Sequence, residues 1–123
     1  MSIKSIDRGV PGEELFRQMD EVIRTERLYT NPNFQRRDIL GRFGLTRRNL
    51  CALMSAQAGG QSVTAYINSL RMDDAVRLLY EHPEMSFTDI AESIGLTLAT
   101  FRDQFKHRFG MTPTEYRKKN KGL

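Results

Sequence analysis

The sequence predicts an all-α fold in which two helix-turn-helix subdomains are joined by a long linker helix, giving about seven helices in all. Three observations carry this. Apolar residues recur at helical spacing through most of the chain, no stretch alternates with period two, and the second half repeats a helix–turn–helix pattern of the first.

The elements follow in order. The first ten residues show no periodicity and are expected to be a flexible lead or linker. From Pro11, the residues Leu15, Phe16, Met19, Val22, Ile23 and Leu28 form one apolar stripe among charges, ending before the turn-forming YTNPN. A short helix from Phe34 to Phe43 points Ile39, Leu40 and Phe43 inward and stops at Gly44. A second, from Thr46 to Gln57, buries Leu50, Leu53 and Met54, and Ala58, Gly59 and Gly60 break the pattern. The longest helix begins at Ser62 and runs to Tyr80, before His82-Pro83, because proline disfavours helix in the residue ahead of it. Val63, Tyr66, Ile67 and Leu70 mark its early face, and Met72, Ala75, Val76 and Leu79 a rotated later one, as a connector between two subdomains requires. From Val63 to Leu79 it spans roughly 24 Å. Ser86, with Asp89 three residues on, opens a helix carrying Phe87, Ile90, Ala91 and Ile94 that ends at Gly95. A helix from Leu98 to Arg108 buries Phe101 and Phe105. The last runs from Pro113 to Lys119, with Thr112 as its cap. The expected organisation is a lead over 1–10, a first subdomain over 11–61, the linker helix over 62–81 and a second subdomain over 82–123.

The repeat is specific. At a constant offset of 51, Asp38-Ile39 pairs with Asp89-Ile90, Gly44-Leu45-Thr46 with Gly95-Leu96-Thr97, Leu50 with Phe101 and Met54 with Phe105. After one extra residue in the first copy, Thr64 and Tyr66 pair with Thr114 and Tyr116. Each copy reads as a helix, a glycine-containing turn and a helix led by threonine. The glycines sit where φ turns positive, the leucines tuck into the angle between helices, and Thr46 and Thr97 cap the second helices while offering hydroxyls to a phosphate. Such a pair of turns can also be a plain helical hairpin without a nucleic-acid role, so charge has to decide.

The net charge is +4, but it is unevenly placed. Residues 36–48 hold Arg36, Arg37, Arg42, Arg47 and Arg48 against Asp38. Residues 102–121 hold Arg102, Lys106, Arg108, Arg117, Lys118, Lys119 and Lys121 against Asp103 and Glu115. The stretch between them is acidic. Two basic clusters, each adjoining one turn, suggest two contact points on one polyanion.

Other chemistries are disfavoured. At 123 residues the chain can bury a modest core only, which argues against a multi-step enzyme. The single cysteine, Cys51, can form no intramolecular disulfide and no zinc cluster, in keeping with a reducing cytoplasm. Beside arginines it reads as a small residue near a groove in preference to a redox-active thiol. His82 and His107 lie far apart with no ligand cluster, and neither a phosphate loop nor a nucleophile elbow is present. No catalytic residues, metal or cofactor are expected. No run of eighteen apolar residues exists and MSIKSIDRGV lacks the apolar core of a signal peptide, so neither export nor membrane spanning is expected.

Over residues 34–119 the sequence resembles the C-terminal DNA-binding domain of the AraC/XylS family of bacterial transcription regulators. The resemblance runs through Asp38-Ile39, Gly44-Leu45-Thr46, Tyr66, Leu70-Arg71-Met72, Ala75, Leu78-Leu79, Asp89-Ile90-Ala91, Gly95-Leu96, Phe101, Phe105-Lys106, Phe109-Gly110-Met111-Thr112-Pro113 and Tyr116-Arg117. FGMTPTEYR is its most specific part, and LYTNPNF with the leading helix resembles the domain at the end of hybrid two-component regulators. The resemblance implies double-stranded DNA as partner, with recognition helices in successive major grooves. It further implies contact with RNA polymerase, and dimerisation through a sensory domain outside this chain. Carried over by the buried pairs, the groove-facing residues are Arg47, Arg48, Cys51, Ala52 and Ser55 in the first unit. In the second they are Leu98, Ala99, Arg102 and Asp103, with Lys106 on the same face near the phosphates. Arg36, Arg37, Arg108, Arg117 and Lys118, with Thr46 and Thr97, are expected to hold phosphates.

Three departures from the family pattern carry expectations. Leu40 stands where the family has a small alanine, which would splay the first helix pair. The stretch from Leu96 to Phe101 is one residue short of the commoner spacing, which would turn the second recognition helix. Ala52 and Asp103 occupy a position where arginine is common, which leaves open an alternative role as an interaction domain of a larger regulator with weakened DNA binding.

Overall fold

The computed structural model describes residues 12–120, so the expected flexible lead over 1–10 lies outside the described residues, as does Lys121. Seven α-helices follow in order: α1 (Gly12–Thr25), α2 (Arg36–Phe43), α3 (Arg47–Gln57), α4 (Val63–Glu81), α5 (Phe87–Ser93), α6 (Leu98–Phe109) and α7 (Pro113–Asn120), and no strand is present among the described residues. The fold is all-α, as the periodicity predicts. One element was not foreseen: Leu28–Thr30, expected to close the first helix and open a turn, forms a short 3-10 helix that buries Tyr29.

The chain forms two compact units. Among the described residues, one takes residues 12–29 together with Asn33–Ser69, and the other takes Thr30–Pro32 together with residues 70–120. The division therefore falls inside α4, between Ser69 and Leu70, so that Leu70, the last residue of the early apolar face, goes with the second unit. Tyr66, Ile67 and Leu70 are buried ahead of or at that point, and Met72, Ala75, Leu78 and Leu79 beyond it.

The first unit packs α1 against α3, and its core comprises Leu15, Met19 and Ile23 of α1 with Ile39, Phe43, Leu45, Leu50, Leu53 and Met54. Tyr66 ties the early part of α4 to α1. Its hydroxyl donates to Asp20 Oδ1 at 2.5 Å, and its ring lies 5.9 Å from that of Phe16. Burial, then the hydrogen bond to Asp20, pushes the Tyr66 phenol above its usual value, so the hydroxyl stays protonated and keeps donating.

The second unit packs α5 and α7 against α6. Phe101 and Phe105 meet edge to face at 5.7 Å, and Phe105 also contacts Phe109 at 4.5 Å and Tyr116 at 5.3 Å. Thr112 and Glu115 close α7 reciprocally. Glu115 N–H donates to Thr112 Oγ1 at 3.1 Å, and Thr112 N–H to Glu115 Oε1 at 2.8 Å. The Thr112 backbone N–H, then the Thr112 side chain, hold the Glu115 carboxyl below the usual carboxylate range.

Two charged residues are buried in α4. Arg71 and Asp74 are each only 6 % exposed, which demands partners. Arg71 donates to the carbonyl of Asn31 at 2.9 Å, holding the Thr30–Pro32 segment on the second unit, and Asp74 accepts from Arg77 at 2.8 Å.

Candidate nucleic-acid interface

Both turns share two backbone bonds and differ at the glycine itself, whose N–H donates to the Leu40 carbonyl in the first and to the Glu92 carbonyl in the second. In the first, Gly44 has φ +66°, Leu45 N–H donates to the Leu40 carbonyl at 3.1 Å, and Leu50 N–H to the Thr46 carbonyl at 2.9 Å. In the second, Gly95 has φ +84°, Leu96 N–H donates to the Ala91 carbonyl at 2.9 Å, and Phe101 N–H to the Thr97 carbonyl at 2.9 Å. Positive φ explains why glycine recurs here: a Cβ would be strained at either position. The caps match as well, Thr46 Oγ1 accepting from Asn49 N–H at 3.1 Å and Thr97 Oγ1 from Thr100 N–H at 3.2 Å. The correspondence extends to the next helices, where Ser62 caps Ala65 at 3.0 Å as Thr112 caps Glu115 at 3.1 Å. Leu96 to Phe101 has the same spacing as Leu45 to Leu50, and α6 starts on the same cap geometry as α3. Leu45 is buried in its turn and Leu96 half-buried against the second core.

These frames leave one long face of α3 and of α6 uncovered. Arg47, Arg48, Cys51, Ala52 and Ser55 are all exposed, with Leu50, Leu53 and Met54 buried behind them. Ala99, Arg102, Asp103 and Lys106 are exposed and Leu98 half-buried, with Phe101 and Phe105 behind. At 100° per residue, such positions fall within one arc of a helix, wide enough to meet a groove. Among the described residues, Arg47, Arg48 and Arg102 form no side-chain hydrogen bond or ion pair, so their guanidinium groups face solvent ready for an anionic or acceptor partner. Thr46 and Thr97 are exposed at the two caps, and Thr97 also donates to Thr100 Oγ1 at 3.0 Å.

The outlying cations divide. Arg36, Arg37 and Lys118 are exposed. Arg108 is bonded to Asp73 at 2.7 Å, and Arg42 to Glu26 at 2.6 Å. Arg117 is half-buried, donates to the Met85 carbonyl at 3.1 Å and lies 4.5 Å over the Phe87 ring. Its primary contacts are thus within the second unit, where it pins α7 to the start of α5.

An open groove of about 420 Å³ runs along α3 in the first unit, lined by Arg36, Arg47, Cys51 and Ser55 on one side and by Gln61, Ser62 and Thr64 on the other. It brings Arg36 beside Arg47, and it adds Gln61, Ser62 and Thr64, which a reading of α3 alone does not reach. The available sequence signal was the match of Thr64 with Thr114 after the one-residue gap. Cys51 is a free, exposed thiol. Among the described residues, no group of three or more His, Cys, Asp or Glu could hold a metal, and no helix is long and apolar enough to cross a membrane.

Two threonine-capped turns, each presenting the outer face of its second helix, define a tandem helix-turn-helix protein. The family model described as "Helix-turn-helix domain" matches residues 39–119, and the chain belongs to that family, which is of AraC/XylS type. No curated protein matches the sequence. Among solved structures, the C-terminal domain of AraT, a response regulator from Geobacillus stearothermophilus, is similar with a TM-score of 0.76 at 22% identity, over 93% of this chain and 89% of that one. The C-terminal domain of the response regulator yesN from Fusobacterium nucleatum gives 0.70 at 25% identity, over 83% and 96%. The DNA-binding domain of AdpA, a global transcriptional factor solved in complex with a target DNA, gives 0.71 at 20% identity, over 84% and 89%. The fold is that of helix-turn-helix transcription regulators.

Proposed function

We propose that this chain binds double-stranded DNA sequence-specifically and thereby regulates transcription, with α3 and α6 entering successive major grooves. The observation that carries the proposal is the pair of threonine-capped, outward-facing helices whose arginines Arg47, Arg48 and Arg102 have no partner within the described residues. The AdpA domain, similar in fold, was solved with its target DNA. In this reading residues 11–61 and 82–123 are the two DNA-reading subdomains and 62–81 the connector between them, so that one chain reads two half-elements roughly 34 Å apart.

Arg47, Arg48 and Arg102 are assigned to guanine O6 and N7, Asp103 to an exocyclic amine, and Leu98 or Ala99 to a thymine methyl, with Cys51, Ala52 and Ser55 completing the first face. Thr46, Thr97, Arg36, Arg37, Lys106 and Lys118 are assigned to phosphates. Arg108 and Arg117 join them only by exchanging or sharing their present partners. RNA polymerase, and a second copy held through a sensory domain outside this chain, are the remaining proposed partners; the likeness to two response-regulator domains supports such an attachment.

The test is an anisotropy titration of promoter-length duplexes. Affinity is expected to fall steeply with salt, because each neutralised phosphate releases counterions. Arg48→Ala and Arg102→Ala should each weaken discrimination at one base pair by roughly 1–3 kcal/mol. Binding that is absent at low salt, or untouched by both substitutions, would leave the chain an interaction domain instead.

A further inference from the structure

The geometry points to Asp103 as the residue that makes the second unit a conditional reader, engaging DNA only where the major groove offers an exocyclic amine, while the first unit, with no acid on its reading face, holds DNA whichever base stands opposite Asp103. This inference rests on the DNA-binding reading above and adds to it a division of labour between the two helices.

The repeat allows the two interfaces to be compared position by position, because α3 and α6 follow turns closed by matching bonds at an offset of 51 and start on matching threonine caps. Arg36 and Arg37 at the start of α2 correspond to Phe87 and Thr88 at the start of α5. Arg47 and Arg48 correspond to Leu98 and Ala99, Cys51 and Ser55 to Arg102 and Lys106, and Ala52 to Asp103. The first interface therefore presents two arginines at the start of α2 and two on the reading face of α3, which carries no acid. The second presents Arg102 and Lys106 around Asp103, and Lys106 is also close enough to Glu115 to help lower its pKa.

Asp103 is exposed, and no described residue pairs with it. Arg102 is its chain neighbour and points about 100° away around α6, so it reaches a different base. A free carboxylate on such a face is repelled by phosphates and can only accept hydrogen bonds. In the major groove the donors are cytosine N4 and adenine N6. Where one of them stands opposite, Asp103 is satisfied. Where guanine O6 or thymine O4 stands there, an acceptor faces an acceptor in a partly dehydrated groove, and the charge is left buried without a partner. The second unit then disengages, and the first keeps the chain on DNA through its own contacts, of which those of Arg36, Arg37 and Thr46 to phosphates carry no sequence.

Selection of duplexes from a randomised pool, with this chain and with its Asp103→Asn and Asp103→Ala variants, tests the inference; Arg102→Ala locates the half-site facing α6. The native chain should select cytosine or adenine on one strand at one position of that half-site, by roughly 10- to 100-fold over the other bases. Asp103→Asn should move the choice to adenine, which asparagine contacts through N6 and N7. Asp103→Ala should abolish the preference there and bind scrambled duplexes several-fold tighter than the native chain does. Selection of guanine or thymine by the native chain, or variants that select the same bases with unchanged affinities, would overturn the inference and leave DNA binding standing. No binding to any duplex by the native chain at low salt would overturn both.

Discussion

The two helix-turn-helix units share a backbone and differ in where they keep their bulk. In the first, the leading helix α2 carries the large Leu40 and Phe43, and α3 carries the aliphatic Leu50 and Met54. In the second the bulk has crossed over, with Ala91 and Ile94 on or just past α5 and the rings of Phe101 and Phe105 on α6, all fully buried. Leu40 is half-buried, while Leu45 N–H still reaches its carbonyl at 3.1 Å, against 2.9 Å at Ala91. Leu40 is larger than Ala91 at the matching position, and Leu50 and Met54 are smaller than Phe101 and Phe105 at theirs. A frame fixed by backbone bonds can accept either distribution if total volume is kept. The units also close differently, α1 backing the first and α7 the second.

That contrast can be broken most severely at Phe105, the ring on which Phe101, Phe109 and Tyr116 all converge. Phe105→Ala should cost roughly 3–5 kcal/mol in urea unfolding, enough to melt the second unit of a domain this size. A smaller but more selective blow falls on the first unit. Tyr66→Phe removes the hydrogen bond to Asp20, worth roughly 1.5–3 kcal/mol because the acceptor is charged, and loosens α1. The same group makes the first unit sensitive to alkali. The folded phenol titrates above its usual value near 10, so above about pH 10 the unfolded chain loses its proton first and stability falls as pH rises. The Phe variant should show a flatter alkaline decline in the same titration.

The sequence was most informative where one local rule decides. Gly44 and Gly95, the threonine caps, the alternating faces of α4 and the exposed arcs of α3 and α6 all follow from spacing or from a single required φ. It was least informative where a side chain chooses a partner far along the chain. Arg71 reaches back 40 residues to Asn31, Arg117 reaches 32 to Met85 and Arg108 reaches 35 to Asp73. Such bonds have no periodicity. Charge clustering alone places Arg108 and Arg117 among the DNA contacts, whereas Arg117 sits on Phe87 for reasons visible only once α5 and α7 are packed. Gln61, Ser62 and Thr64 were missed for the same reason, since the groove they share with Arg36 and Arg47 exists only after α4 has folded beside α3.

The mildest test asks whether the shared frame is energetically, as well as geometrically, the same in both units. Thr46→Ala and Thr97→Ala each delete one cap, with bonds of 3.1 and 3.2 Å, and each should cost about 1 kcal/mol in chemical denaturation. The hydroxyls differ in one respect: Thr97 also donates to Thr100 Oγ1, a bond with no counterpart at Asn49. If that second bond contributes, Thr97→Ala should be the costlier by a few tenths of a kcal/mol, since exposed neutral hydrogen bonds lie at the low end of their roughly 0.5–1.5 kcal/mol range. A Thr100→Ala background should erase the difference and leave the two caps equal. Persistence of a gap in that background would place the inequality in the helices that follow, where α6 opens with Leu98 and α3 with Arg47 beside the positive end of its own dipole.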